Sequence, residues 1–138
     1  MSTKMFVNLF VADLQKSMAL FTSVGFTFNT DFSDELGACM VISEQNYAML
    51  LTEAKIREII PPAFTDSAMA SKSIIALSCD TREDVARLVN QAIAAGGKRY
   101  EDPQDHGFMI QDGFLDLDGH AWSFFWMDNN RSQQAEKS

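Results

Sequence analysis

The residue types that most often carry chemistry are scarce in this chain, which has two histidines, two cysteines and three prolines in 138 residues. Cys39 and Cys79 each lie inside an apolar, strand-like stretch and form no C-x-x-C pair. That spacing points to neither a disulfide framework nor a cysteine-rich zinc site. Free cysteine in such surroundings behaves as a small hydrophobe, so a reduced compartment is expected. Basic residues are outnumbered, 11 Lys and Arg against 19 Asp and Glu, for a net charge of −8. A phosphate backbone or an anionic membrane surface would repel such a chain, so neither nucleic acid nor a membrane is expected as a partner. No apolar run approaches the roughly 18 residues of a membrane span. The opening Met1-Ser2-Thr3-Lys4-Met5-Phe6 has no apolar core or cleavage signature of a signal peptide. A cytoplasmic location is the resulting expectation. Also missing are a Ser/His/Asp order, a G-x-S-x-G elbow, a phosphate-binding glycine loop and a recognisable pair of catalytic carboxylates.

What the chain does have is apolar mass, with 46% hydrophobic residues including eleven Phe and eight Met. That is enough to bury the core of one domain. It also has a weak internal repeat. Met5–Val11 reads as a strand followed by Asp13, and Ser73–Cys79 reads as a strand followed by Asp80 and Thr81. Each leads into an amphipathic helix. The first has Leu14, Met18, Phe21 and Val24 on one face, Asp13 as N-cap and Gly25 as its stop. The second has Val85, Leu88, Val89, Ala92 and Ile93, with Thr81 as N-cap, Asp84 in capping-box position and Gly96-Gly97 as its stop. Glu83 and Asp84 also complement the positive end of that helix.

Three short strands are predicted after each helix: Phe26–Phe32, Ala38–Ile42 and Tyr47–Thr52, then Lys98–Glu101, Phe108–Leu115 and Ala121–Met127. Asp118-Gly119 predicts a type I′ hairpin turn, and Gln45-Asn46 takes the corresponding place in the first half, where Asn tolerates the left-handed region. Residues 53–72 link the halves, with Ile56, Ile59 and Ile60 able to bury one face of a short helix that Pro61-Pro62 ends. Thr65–Lys72 reads as loop. The expected organisation is one domain over 1–128, with module one about 5–53, a linker about 54–72, module two about 73–128, and a disordered tail over 129–138. Two tandem βαβββ modules imply an α+β fold, a curved, barrel-like eight-stranded sheet with helices outside.

Several stretches carry a family resemblance: Val7–Ser17, Phe21–Phe26, Ala76-Leu77-Ser78 with Asp80, and Phe114–Trp122. The last resembles a D-P-D-G-H-x-W signature, with Leu117 where proline is usual. Together, over roughly residues 5–128, the chain resembles the glyoxalase/bleomycin-resistance/dioxygenase (vicinal oxygen chelate) superfamily. The resemblance implies a divalent metal in a cup, held by one ligand from the first and one from the last strand of each module, acting as a Lewis acid. Those positions fall on Phe6, Ala48, Ile74 and Ser123. Phe, Ile and Ala offer no lone pair, and serine is a poor ligand for first-row metals. No metal and no cofactor are therefore expected, and a lyase of the glyoxalase I type is disfavoured.

Strand alternation then assigns a mostly apolar, ligand-binding cup. Its expected residues are Phe6, Asn8, Phe10, Ala48, Leu50, Ile74, Ala76, Ser78, Ser123 and Phe125, with Met127 beyond them. Trp122, Phe124 and Trp126 alternate to the other face, toward the helices. His106, beside Asp102 and Asp105, is the one weak catalytic candidate, because histidine suits acid–base work near neutrality. His120 reads as a hairpin residue. Asp116 and Asp118 suit bonding to their own turn backbone, while Asp112 and Asp116 flank a kink or bulge at Gly113. The leading expectation is a metal-free, homodimeric protein that binds a small, partly apolar molecule. The alternative is a lyase, isomerase or dioxygenase-like enzyme of the same superfamily using non-standard residues.

Overall fold

The computed structural model describes residues 3–59, 73–100 and 102–128. Its first module runs β1 (Met5–Phe10), α1 (Leu14–Val24), β2 (Thr27–Asn29), a 3-10 turn (Thr30–Phe32), β3 (Gly37–Val41), β4 (Asn46–Leu51) and α2 (Glu53–Ile59). Helix α1 starts because Asp13 stays extended and accepts a hydrogen bond from the Lys16 N–H at 3.1 Å. It stops at Gly25, whose φ of +116° lets its N–H reach back to the Phe21 and Thr22 carbonyls. Leu14, Leu20, Phe21 and Val24 recur on its buried face, with the small polar Ser17 among them.

The second module runs β5 (Ile74–Ser78), α3 (Arg82–Ala94), β6 (Gln104–Asp105), β7 (Met109–Leu115) and β8 (Ala121–Met127). Thr81 caps α3 by accepting from Asp84 N–H at 3.2 Å. The Asp84 carboxylate accepts from Arg87 at 2.8 Å, and this bond, with the nearby Thr81 hydroxyl, holds its carboxyl below the ordinary range. Val85, Val89 and Ala92 make the buried stripe.

Each module builds its own four-stranded sheet, in the order β1-β4-β3-β2 and β5-β8-β7-β6. The first and last strands of a module pair in parallel and the other neighbours are antiparallel. The eight strands are thus divided four and four. One face of each sheet is buried on its helix side: Leu9, Val11, Ala38, Met40, Ala48 and Leu50 in the first, Phe114, Trp122 and Phe124 in the second.

Five local expectations are corrected. The strand expected over Phe26–Phe32 lasts only from Thr27 to Asn29, because the Asn29 side chain accepts from the Asp31 N–H and starts the 3-10 turn. Of the strand expected at Lys98–Glu101, the described residues 98–100 make a single bridge, from Lys98 to Leu115, and Glu101 lies outside the described residues; the edge strand β6 forms later, at Gln104–Asp105. The Asp118-Gly119 hairpin is not type I′, since no described non-glycine residue has positive φ. Gly119 alone is left-handed, and its N–H closes a turn onto the Asp116 carbonyl at 3.1 Å, the turn-plus-bulge solution. For the same reason Asn46 is not left-handed. In α2, Ile56 is buried but Ile59 is 58% exposed. Ile60, Pro61-Pro62, the loop 65–72 and the tail 129–138 lie outside the described residues.

Candidate functional site

Register-paired residues of neighbouring strands share a sheet face. In the first module Phe6 pairs with Tyr47, Asn8 with Met49 and Phe10 with Leu51. The Phe6 and Tyr47 rings stack with centroids 4.8 Å apart. Ala48 and Leu50 pair instead with Val7 and Leu9 and are fully buried on the helix side. The expectation that Ala48 and Leu50 share a face with Phe6, Asn8 and Phe10 is therefore wrong by one residue. Its cause is local: Tyr47 to Leu51 is apolar at every position, so alternation had no parity to read. The face opposite the helix carries Phe6, Asn8, Phe10, Tyr47, Met49 and Leu51.

In the second module Ala76 pairs with Ser123 and Ser78 with Phe125, while Ile74 lies opposite Ala121. Ile74, Ala76, Ser78, Ser123 and Phe125 do share one face, as expected. On β7 the same face adds Met109, Gln111, Gly113 and Leu115. The two modules are equivalent in register. The partner of Ser123 is Ala76, two residues after Ile74, and the partner of Met49 is Asn8, two residues after Phe6. The last-strand metal position of module one therefore falls on Met49, not Ala48.

These positions do not fit the metal that the fold family implies. Phe6 and Ile74 have no donor atom, Ser123 has a weakly ligating hydroxyl, and the Met49 thioether suits soft ions rather than a metal that polarises oxygen. No group of three or more His, Cys, Asp or Glu that could hold a metal ion occurs among the described residues. Apolar surface stands in their place, with Phe6 51% and Ile74 63% exposed.

A depression of about 320 Å³ opens at one end of the first module's free face. Gly37, Met49 and Leu51 line it from the strands, the segment Asp31–Asp34 from the 3-10 turn and its exit, and Lys55 from α2. Gly37 has no room for a side chain, since a Cβ would lie 2.9 Å from Leu51 Cδ2 and 3.3 Å from the Leu50 carbonyl oxygen. Cys39 is buried nearby in register with Met49, and burial pushes its thiol up. Burial also pushes Cys79 up, to about 11, with Asp84 and Asp80 adding to the effect. Neither is an activated nucleophile.

His106 sits at the exposed turn between β6 and β7. Its Nε2 lies 3.4 Å from Gln104 Oε1. The adjacent carboxylate is engaged elsewhere. Asp105 accepts from Gly107 N–H at 2.8 Å and from Arg82 at 3.0 Å, and its carboxyl is held below the ordinary range, chiefly by the Gly107 bond. Arg82 also donates to the Gly107 carbonyl and lies over the Trp126 ring. This is a hairpin clamp in which, among the described residues, no carboxylate is hydrogen-bonded to the imidazole. His120 follows the β7–β8 turn and lends its N–H to Asp116. Asp112 is 2% exposed on the helix face, where Arg99 pairs with both of its oxygens.

Tyr47, Met49, Tyr100, Gln104 and Gln111 were missed as face residues. The Gly113 kink was a usable signal for Tyr100. A Cβ at Gly113 would meet Tyr100 Oη at 2.5 Å and the Trp122 carbonyl oxygen at 2.6 Å, so the glycine is a seat for the tyrosine.

A profile of the Glyoxalase/Bleomycin resistance protein/Dioxygenase superfamily matches residues 5–124. The chain belongs to this superfamily. No curated protein sequence matches it. Among solved structures, a hypothetical protein from S. aureus is 26% identical with a TM-score of 0.71, over 91% of this chain and 94% of that one. A glyoxalase/bleomycin resistance protein/dioxygenase family enzyme from Burkholderia phytofirmans PsJN is 21% identical with a TM-score of 0.76, over 88% and 96%. A fosfomycin resistance protein from Mesorhizobium loti is 13% identical with a TM-score of 0.67, over 96% and 98%. No helix among the described residues of this chain is long and apolar enough to cross a membrane.

Proposed function

We propose that this protein binds a small, partly apolar molecule on the helix-free faces of its sheets, without a resident metal, and acts as a homodimer in the cytoplasm. One observation carries the reading. At the four superfamily ligand positions stand Phe6, Met49, Ile74 and Ser123, and their face neighbours on β1, β4, β5 and β8 are apolar or neutral. Such walls with a few hydrogen-bonding groups are the usual make-up of a small-molecule site. The depression beside Met49 is of a size to hold one. The homodimer rests on the apolar area that Met5, Phe6 and Ile74 leave exposed and on analogy within the superfamily.

The test is a melting-temperature screen of the purified protein against neutral amphipathic molecules and against divalent metals, since whatever binds only the native state raises its stability. Rises with organic ligands that Phe6→Asp or Phe125→Asp abolishes support the reading. Stoichiometric zinc, nickel or iron surviving dialysis would overturn its metal-free part, and light scattering at the mass of one chain would overturn the dimer.

A further inference from the structure

Phe32 is the most exposed large apolar side chain among the described residues, at 69%, yet the turn that carries it is braced at both ends. Asn29 Oδ1 accepts from the Asp31 N–H at 3.0 Å. The Ser33 hydroxyl donates to the Asn29 carbonyl at 2.6 Å and accepts from the Cys39 N–H at 3.0 Å. Asp34 Oδ1 then accepts from the Leu36 and Gly37 N–H groups at 2.8 and 3.1 Å. A benzene ring is thus held in water on a fixed mount, where it lines the 320 Å³ depression together with the apolar wall of Gly37, Met49 and Leu51. The charged groups that line it are Asp31, Asp34 and Lys55. Lys55 Nζ lies 3.5 Å from Glu58 Oε2, so its charge is met on its own helix, and the neighbouring Glu53 and Arg57 pair with each other. The Asp31 carboxylate has no hydrogen-bond or ion-pair partner among the described residues, and Asp34 Oδ2 has none either. Glu35 follows directly in the chain. With or without Lys55 counted, the rim is negative.

We infer that this depression takes an organic ammonium ion on a compact apolar body. The ammonium is met by Asp31 and Asp34, and the body lies between Phe32 and the wall of Met49 and Leu51. This rests on the small-molecule reading above and adds a charge to it. A carboxylate ligand would meet like charges at the rim. A neutral alcohol would gain the apolar contact and nothing from the two carboxylates. An ammonium is attracted by the carboxylates and by the face of the Phe32 ring as well. The volume stands at the low end for small-molecule sites, which suits a body of one ring.

The experiment titrates the full chain by NMR at neutral pH with three probes that share one ring: cyclohexylmethylamine, cyclohexylmethanol and cyclohexanecarboxylate. The amine should bind about threefold more tightly than the alcohol and about tenfold more tightly than the carboxylate. That advantage should vanish as ionic strength rises from about 0.01 M to about 1 M. Asp31→Asn removes a charge that braces nothing in the turn; it should weaken the amine about threefold and leave the alcohol unchanged. Asp34→Asn, which keeps an oxygen for the Leu36 and Gly37 N–H groups, is the second variant and should do the same. Lys55→Gln should strengthen the amine, and Phe32→Ala should weaken amine and alcohol together. The alcohol or the carboxylate binding as tightly as the amine would overturn the inference while leaving small-molecule binding standing. So would an amine affinity that Phe32→Ala or both aspartate variants leave unchanged, or one that Lys55→Gln lowers. If none of the three binds, the inference fails, and a blank melting-temperature screen would then be needed to bring down the broader reading as well.

Discussion

The indole Nε1–H of Trp122 donates to Asp116 Oδ2 at 3.0 Å, and both groups are buried. The other oxygen, Oδ1, accepts from the backbone N–H groups of Asp118 and His120 at 2.9 and 3.0 Å. One carboxylate therefore shapes the β7–β8 turn and fixes the largest side chain of the second core. Asp116→Ala should destabilise by about 2–4 kcal/mol, because the buried indole N–H is left without its partner. Urea unfolding of Asp116→Ala, Trp122→Phe and the double variant checks it. The two effects should couple by at least about 1 kcal/mol rather than add.

Ala48 and Met49 give a direct test of register. Ala48→Glu places a carboxylate on the fully buried helix side and should cost more than about 3 kcal/mol. Met49→Glu places it at the open depression and should cost less than half as much. A reversed order in thermal or urea unfolding would show β4 to be slipped by one residue.

Asp112 depends on Arg99. Arg99→Met strands a carboxylate that is 2% exposed and should cost about 3 kcal/mol. Adding Asp112→Leu should restore much of the loss, because the pair can be replaced by apolar packing more cheaply than it can be halved. Equal stability of Arg99→Met and wild type would show that the ion pair is not closed in solution.

Gly113→Ala should also destabilise, by about 1–3 kcal/mol. Its Cβ would meet the Trp122 carbonyl oxygen, which is backbone and cannot swing aside, as well as Tyr100. Tyrosine fluorescence and near-ultraviolet circular dichroism should report Tyr100 leaving its seat.

With its thiol pushed up from 9.0 to about 11, Cys79 in the native protein should be about 100-fold poorer in thiolate at pH 8 than in the unfolded chain. Iodoacetamide labelling in native buffer should be slow at pH 8 and rise as pH approaches 11. Fast native labelling would mean that the Cys79 thiol is not desolvated in solution.

The parts of this fold that local chemistry dictates were legible in the sequence. Asp13, Gly25, Thr81 and Asp84 marked helix ends because each has one job that few other residues do as well. The second module's face was legible because Ser78 and Ser123 break the apolar run and set its parity. In β4 nothing sets it, and Ala48 was placed on the wrong side. The edge strand at Gln104–Asp105 was hidden for another reason. It is two residues long, Gln104 and Asp105 are both polar, and its ladder depends on pairing with β7 across the turn rather than on its own composition. Tyr100 reaches the face only because a distant glycine leaves it room.

Every ladder among the described residues closes within one half of the chain: Met5 meets Asn46 and Ile74 meets Ala121, and none joins a strand before residue 72 to one after it. Every residue that the first sheet needs is therefore synthesised before β5 is begun. Strand β1 has to wait for β4, because its in-sheet neighbour is the last strand of its module, not the next one. Until then its apolar residues stay unpaired. The stretch of greatest vulnerability thus lies between α1 and β4, and a released chain truncated there should be far more prone to aggregation than one released at residue 72.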